Sequence, residues 1–132
     1  MIHIKYKIKP SDIHGIGLFT DQVIKKGDRI YTPNPLLDVN ITPEQLDQLQ
    51  PNEQGEVMYY GYFNIHSGLW HVAFDAIRIL NHGSLGIANV TQDEEMIMTA
   101  IRDIKEGEEL LQDYTEIYPN GSFHFKRIQN PL

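Results

Sequence analysis

Cysteine is absent from this chain. Disulfides, thiolate metal sites and cysteine nucleophiles are excluded together. Long apolar runs are missing too, and no stretch approaches the ~20 residues of a bilayer span. The first residues, Met1-Ile2-His3-Ile4-Lys5-Tyr6-Lys7-Ile8, alternate apolar and polar instead of forming the apolar block of a secretory signal. A soluble, intracellular protein, cytoplasmic by default, is the expectation. Basic residues are in deficit: Lys and Arg number 11 against 18 Asp and Glu, for a formal net charge of -7. Phosphate backbones are gripped by clustered Lys and Arg, so nucleic acid is not an expected partner. An acidic surface suits a cationic partner or plain solubility. No low-complexity linker divides the 132 residues, so a single domain is expected.

What is present reads mostly as short strands. Ile2, Ile4, Tyr6 and Ile8 alternate with His3, Lys5 and Lys7, which predicts a half-buried strand over 2–8. Thr42-Pro43-Glu44-Gln45 is a helix start: Thr42 can cap, Pro43 fits the first turn and Gln45 can close a capping box. Pro51-Asn52 is expected to stop that helix. Residues 57–74 read as a hairpin turning at His66-Ser67-Gly68, with Tyr59, Tyr60 and Tyr62 on its first strand. His66 and His71 flank that turn and could meet across it. Zinc would need further ligands, so no metal is expected. Glu95–Ile101 and Glu109–Leu111 are strand-like. The segment Ile24-Lys25-Lys26-Gly27-Asp28-Arg29-Ile30 has an echo in Ile104-Lys105-Glu106-Gly107-Glu108-Glu109-Leu110. Both fit a tight turn on a positive-φ glycine followed by a strand start.

Three separated segments carry the chemistry. Gly15-Ile16-Gly17, before Leu18-Phe19, lets backbone approach a ligand or turn sharply. Asn81-His82, after Arg78-Ile79-Leu80, concentrates donors and acceptors that could hold a polar ligand or brace a chain crossing. Gly107-Glu108-Glu109-Leu110 leads through Leu111-Gln112 to Asp113-Tyr114. In this order, the set resembles the signature segments of the SET domain, the S-adenosylmethionine-dependent protein lysine methyltransferases, from about Asp12 to Tyr114. The stretch Gly83-Ser84-Leu85-Gly86-Ile87-Ala88-Asn89 departs from the family pattern by a longer loop without its proline. Asn89 stands in for the family's later Asn.

The resemblance implies a mainly β fold: a SET-domain β-clip of several short sheets, with a C-terminal pseudoknot and one or two short helices. It implies one domain over 1–132 with a core at 12–114. The tail, 115–132, lacks the family's cysteine-rich motif. Tyr118, Phe123 and Phe125, with a turn at Pro119-Asn120-Gly121, could close the active site as a lid, or a homodimer partner could. It implies S-adenosylmethionine as cosubstrate, bound by Gly15, Ile16, Gly17, Asn81, His82 and Tyr114. Tyr114 would sit beside the reacting centre as a catalytic residue. Tyr60 is the second catalytic candidate, with Tyr59 and Tyr62 competing for that place. The expected substrate is a basic protein or peptide presenting lysine, with carboxylates at the channel mouth and aromatics inside. A catalytically weak SET-like binding module is the alternative.

Overall fold

A computed structural model describes residues 1–118. Pro119-Asn120-Gly121, Phe123 and Phe125, and with them most of the expected lid, lie outside the described residues. Among the described residues, ten short strands form three sheets. Strands β1 (Tyr6–Pro10) and β2 (Ile16–Thr20) make a two-stranded antiparallel ribbon. Strands β4 (Val39–Ile41), β5 (Tyr62–Asn64) and β6 (Leu69–Val72) make a second sheet in the order β4-β6-β5. The largest takes β3 (Arg29–Tyr31), β7 (Asn81–His82), β8 (Val90–Gln92), β9 (Met98–Ala100) and β10 (Leu111–Gln112) in the order β3-β9-β8-β10-β7.

That order contains the pseudoknot. β7 and β8 are neighbours in sequence, yet β10 lies between them, parallel to both. The 83–89 loop therefore has to cross β10. Asn89, 1% exposed, locks the crossing. Its Oδ1 accepts from Leu111 N–H at 2.8 Å, its Nδ2 donates to the Glu109 carbonyl at 2.8 Å, and its N–H donates to the Leu111 carbonyl at 3.0 Å. An amide with donor and acceptor side by side is suited to bind another chain's backbone in this way.

The echoed turns meet. Ile24 and Ile104 exchange both backbone hydrogen bonds, at 2.9 and 2.8 Å. Gly27 N–H donates to Ala100 and Gly107 N–H to Thr20, while Ala100 N–H and Thr20 N–H return to Asp28 and Glu108. Both glycines take the left-handed φ expected of them, 88° and 90°. The result is a local two-fold relation between residues 20–28 and 100–108. Its apolar members, Ile24, Ile104, Ile30 and Leu110, are each 0% exposed and fill the core with Leu18 and Val90. Each such burial contributes about 1.5–3 kcal/mol.

Several expectations need correction. The strand predicted over 2–8 splits: Ile2 pairs only with Tyr31, β1 begins at Tyr6, and Tyr6 and Ile8 are 38% and 50% exposed. Alternation misled because the β1–β2 ribbon gains no third strand. Thr42 does cap α1 (Pro43–Asp47), with Gln45 N–H on its hydroxyl at 3.1 Å and the reciprocal bond at 2.9 Å. Pro51 does not stop a helix but starts α2 (Pro51–Tyr60), where a first-turn proline gives up no hydrogen bond. Tyr59 and Tyr60 therefore end a helix, and the hairpin is confined to β5 and β6. His66 and His71 do not meet. His71 lies opposite Tyr62, with its Nδ1–H on Asn40 Oδ1 at 2.9 Å, and His66 is in the exposed turn. Only Met98–Ala100 of the predicted 95–101 strand is strand. Asp93 Oδ1 gathers the N–H groups of Glu95 and Ile97 into a turn before it.

Candidate active site

The three signature segments converge on one amide. Asn81, 2% exposed, directs its Nδ2 at the carbonyls of His14 and Ile16 and at Glu109 Oε1, each at 2.9 Å. Glu109 Oε2 accepts from Ser11 Oγ at 2.9 Å, and Ser11 Oγ in turn accepts from Ile13 N–H at 2.9 Å. The Asn81 side chain is thus a brace between chains. Gly17 is needed for packing: a Cβ there would lie 2.0 Å from Glu109 Oε1. Gly15 takes a φ of 49° and, like Ile16, is exposed. Beside them, His14 Nε2 is buried without a hydrogen-bond partner among the described residues.

Asp113 and Tyr114 follow β10. The Asp113 carboxylate accepts from Thr115 N–H and hydroxyl at 3.0 and 2.8 Å, which starts a short 3-10 turn over Tyr114–Glu116 and holds that carboxyl below its ordinary range. Tyr114 is 4% exposed. Its N–H donates to His82 Nδ1 at 3.0 Å, which leaves the proton of a neutral His82 on Nε2. Its hydroxyl donates to the Leu80 carbonyl. Tyr114 therefore ties the Asn-His segment to the Asp-Tyr segment.

Tyr114 also lines a narrow cavity of about 60 Å³. Six tyrosines reach it: Tyr31, Tyr59, Tyr60, Tyr62, Tyr114 and Tyr118. His71, Tyr62, Tyr118 and Tyr114 line it as a row of rings with successive centroids 5.7, 6.4 and 6.0 Å apart, and the row continues beyond the cavity to His82, 5.3 Å from Tyr114. Tyr60 also lines the cavity, edge-on to Tyr59 at 4.8 Å, with the Arg78 guanidinium 5.1 Å from its ring centre. Of the residues singled out in sequence, Tyr114, Tyr60, Tyr59 and Tyr62 thus share this cavity. Gly15, Ile16, Gly17, Asn81 and His82 form the brace that adjoins it through Tyr114. Burial governs ionisation inside. It pushes the Tyr31 hydroxyl far above its ordinary value, with its bond to Asp38 adding to the effect. Burial raises Tyr62 to about 12 against the opposing bond from Gln92, and it lowers His71 against the opposing charge of Asp38, which favours the neutral imidazole.

Sequence reasoning missed Tyr31, Gln92 and Gln112, and weighed His71 only as a partner of His66. Gln112 had a signal: it stands two residues before Tyr114 in an extended segment, which puts both side chains on one face. A second hollow, about 240 Å³, shares Tyr62, Gln92 and Ile117 with the cavity. Asp93, Glu94 and Glu116 line it. No group of three or more His, Cys, Asp or Glu among the described residues could hold a metal, and no described helix is long and apolar enough to cross a membrane.

Comparison with known proteins agrees with this geometry. Among solved structures, the chain is similar to a Plasmodium falciparum protein assigned as a histone methyltransferase. Identity is 24%, the TM-score is 0.60, and 86% of this chain and 95% of that one are covered. It is similar also to the Neurospora SET domain histone lysine methyltransferase, at 20% identity and a TM-score of 0.58, over 86% of this chain and 53% of that one. These likenesses are of fold. Curated proteins yield no match. A family model, that of the SET domain, matches residues 15–115, and the chain belongs to the SET domain family.

Proposed function

We propose that this chain is a single-domain protein lysine methyltransferase. It would move a methyl group from S-adenosylmethionine to the side-chain amine of lysine in a basic protein. The observation that carries this reading is the junction at Tyr114, where the brace of the signature segments meets the tyrosine-lined cavity. The residues fit the cosubstrate. Gly15 and Ile16 offer accessible backbone, and His14 Nε2 is an unsatisfied polar atom beside them. Gly15, Ile16, Gly17, Asn81, His82 and Tyr114 would hold it. When bound, the cosubstrate supplies a methyl carbon on a positively charged sulfur, which leaves as a neutral thioether as the N–C bond forms.

The chain's own work is to present a neutral amine in line. Free lysine has a pKa near ~10.4, so few molecules are neutral at pH 7. Desolvation among tyrosine rings disfavours the ammonium, and its proton passes to water. Those rings also favour the cationic charge shared by nitrogen and sulfur during transfer. Tyr114 orients the amine and is not its base, because its own proton is committed to the Leu80 carbonyl. Tyr60, which lines the same cavity, would contact the amine's alkyl stem. Positioning and electrostatics supply the rate.

Calorimetry with S-adenosylmethionine and S-adenosylhomocysteine tests the reading. Saturable binding is expected, lost in Asn81→Ala. Tyr114→Phe should keep cosubstrate affinity near wild type and lower transfer on the order of 100-fold. Unchanged transfer would remove Tyr114 from the mechanism. A second reading, binding without efficient transfer, is favoured by the lengthened 83–89 loop, where Leu85 is 92% exposed. Cosubstrate binding with no transfer to any lysine peptide would select it.

A further inference from the structure

The hollow of about 240 Å³ adjoins the tyrosine-lined cavity, since Tyr62, Gln92 and Ile117 line both. Asp93, Glu94 and Glu116 stand around it, and none of these carboxylates pairs with a Lys or Arg among the described residues. Two of them are fixed in place. Glu116 accepts from the Thr91 hydroxyl at 2.6 Å, from Gln92 N–H at 3.1 Å and from Gln112 Nε2 at 3.4 Å. Gln112 Nε2 also pairs with Gln92 Oε1 at 3.3 Å. Asp93 Oδ1 accepts from the N–H groups of Glu95 and Ile97, both at 2.9 Å. Glu94 is exposed and makes no side-chain hydrogen bond among the described residues.

An independent feature is Asn64, which lines the same hollow and is 6% exposed. It follows Tyr62 by two residues on β5, so both side chains lie on one face of the strand. Its Oδ1 accepts from His66 N–H at 2.9 Å. Its Nδ2 has no hydrogen-bond partner among the described residues and is left as a nearly buried donor at the hollow.

These groups choose among guests. The acids attract cations but do not gather into a metal site. A metal ion or a protonated polyamine would also leave Asn64 Nδ2 without an acceptor. A basic residue within a peptide answers both features, with a cationic side chain for the carboxylates and a backbone carbonyl for Asn64. Arginine suits carboxylates set apart around a hollow better than lysine does, because its planar guanidinium presents five N–H donors in a fixed fork.

We propose that this hollow is a subsite for an arginine two residues from the target lysine. The proposal rests on the methyltransferase reading and deepens it by naming a feature of the substrate. Alternate side chains of an extended peptide share a face and stand about 7 Å apart. With the target lysine in the cavity, the side chain two positions away on one side of it passes Tyr62 into the hollow. Its guanidinium meets Glu94 and Glu116, and Asn64 Nδ2 holds a carbonyl of the peptide backbone.

The test uses the full chain and synthetic peptides with one central lysine, in which arginine, norleucine or glutamate replaces each flanking residue in turn. Mass spectrometry reads transfer from S-adenosylmethionine, and fluorescence anisotropy with S-adenosylhomocysteine reads peptide binding. Arginine two residues from the lysine, on one side, should exceed norleucine there by on the order of tenfold in kcat/KM. The gain should lie in KM, and salt should shrink it. Glu94→Lys alters an exposed side chain and should invert the order, so that glutamate is preferred at that position. Glu116→Gln, nearly isosteric, should reduce the arginine preference about threefold, with circular dichroism melting showing that it is folded. Equal transfer to arginine and norleucine peptides, or an order unmoved by Glu94→Lys, would overturn the subsite while the methyltransferase reading stands. An arginine preference in binding with no transfer to any peptide would keep the subsite and bring down the methyltransferase reading. Neither preference nor transfer would bring down both.

Discussion

The two copies of the Ile-Lys-x-Gly turn are built alike and used differently. Both place glycine at a φ near 90°, both bury an isoleucine at 0% exposure, and each hydrogen-bonds to the other's neighbourhood in the same pattern. They part at the second residue after the glycine. In the first copy Arg29 is exposed on the outer strand of its sheet. In the second, Glu109 turns inward to accept from Asn81 and Ser11. One scaffold thus serves twice, and a single side chain converts the second copy from structure into part of a site. The acid of the turn itself, Asp28 or Glu108, keeps the same local task in both, accepting from the N–H of Lys25 or Lys105 at 3.0 and 2.9 Å.

The contrast is sharpest at the residues that differ. Glu109→Ala removes a partly buried acceptor, strands the Ser11 hydroxyl and leaves Asn81 Nδ2 only its two carbonyl acceptors. A loss of about 2–4 kcal/mol is expected by urea denaturation, with loss of cosubstrate binding. Arg29→Ala should stay within about 0.5 kcal/mol. Equal losses would mean that the copies are energetically equivalent after all. The glycines come next. Neither Gly27 nor Gly107 has any atom within 4 Å of an added Cβ, so only backbone strain is at stake. Gly27→Ala and Gly107→Ala should each cost about 1–2 kcal/mol, and nearly the same amount. A large inequality would break the two-fold relation. The smallest effect belongs to the surface. Arg102 pairs with Glu108 at 2.9 Å, but its side chain is 50% exposed. Arg102→Ala should cost at most about 0.5 kcal/mol, and salt should erase the difference.

Much of this was legible in sequence because local chemistry decided it. The capping box at Thr42 and Gln45 and the left-handed Gly27 and Gly107 each depend on residues within one turn. The family signature carried the crossing of chains that Asn89 secures, which no periodicity would reveal. Errors arose where a residue's environment came from distant chain. Tyr6 and Ile8 had the alternation of a buried strand but no layer to cover them. Tyr59 and Tyr60 had strand composition but were placed at a helix end by Pro51, which can begin a helix as readily as end one. Gln112 could be placed on the face of Tyr114, but its pairing with Gln92 depends on β8 lying beside β10. That neighbourhood exists only after threading.

The strand threaded between β7 and β8 is also the last of its sheet to be made. A nascent chain emerging from the ribosome releases β7 and β8 some twenty to thirty residues before β10 can fill the space between them. Until then Asn81 and Asn89 have no partners in Glu109 and Leu111, and the cavity has no Tyr114. Assembly of the site waits for β10 and hinges on contacts distant in sequence, which are slow to form. A chain interrupted shortly before Leu110 would carry most of the residues of this fold but lack Gln112 and Tyr114 from its cavity.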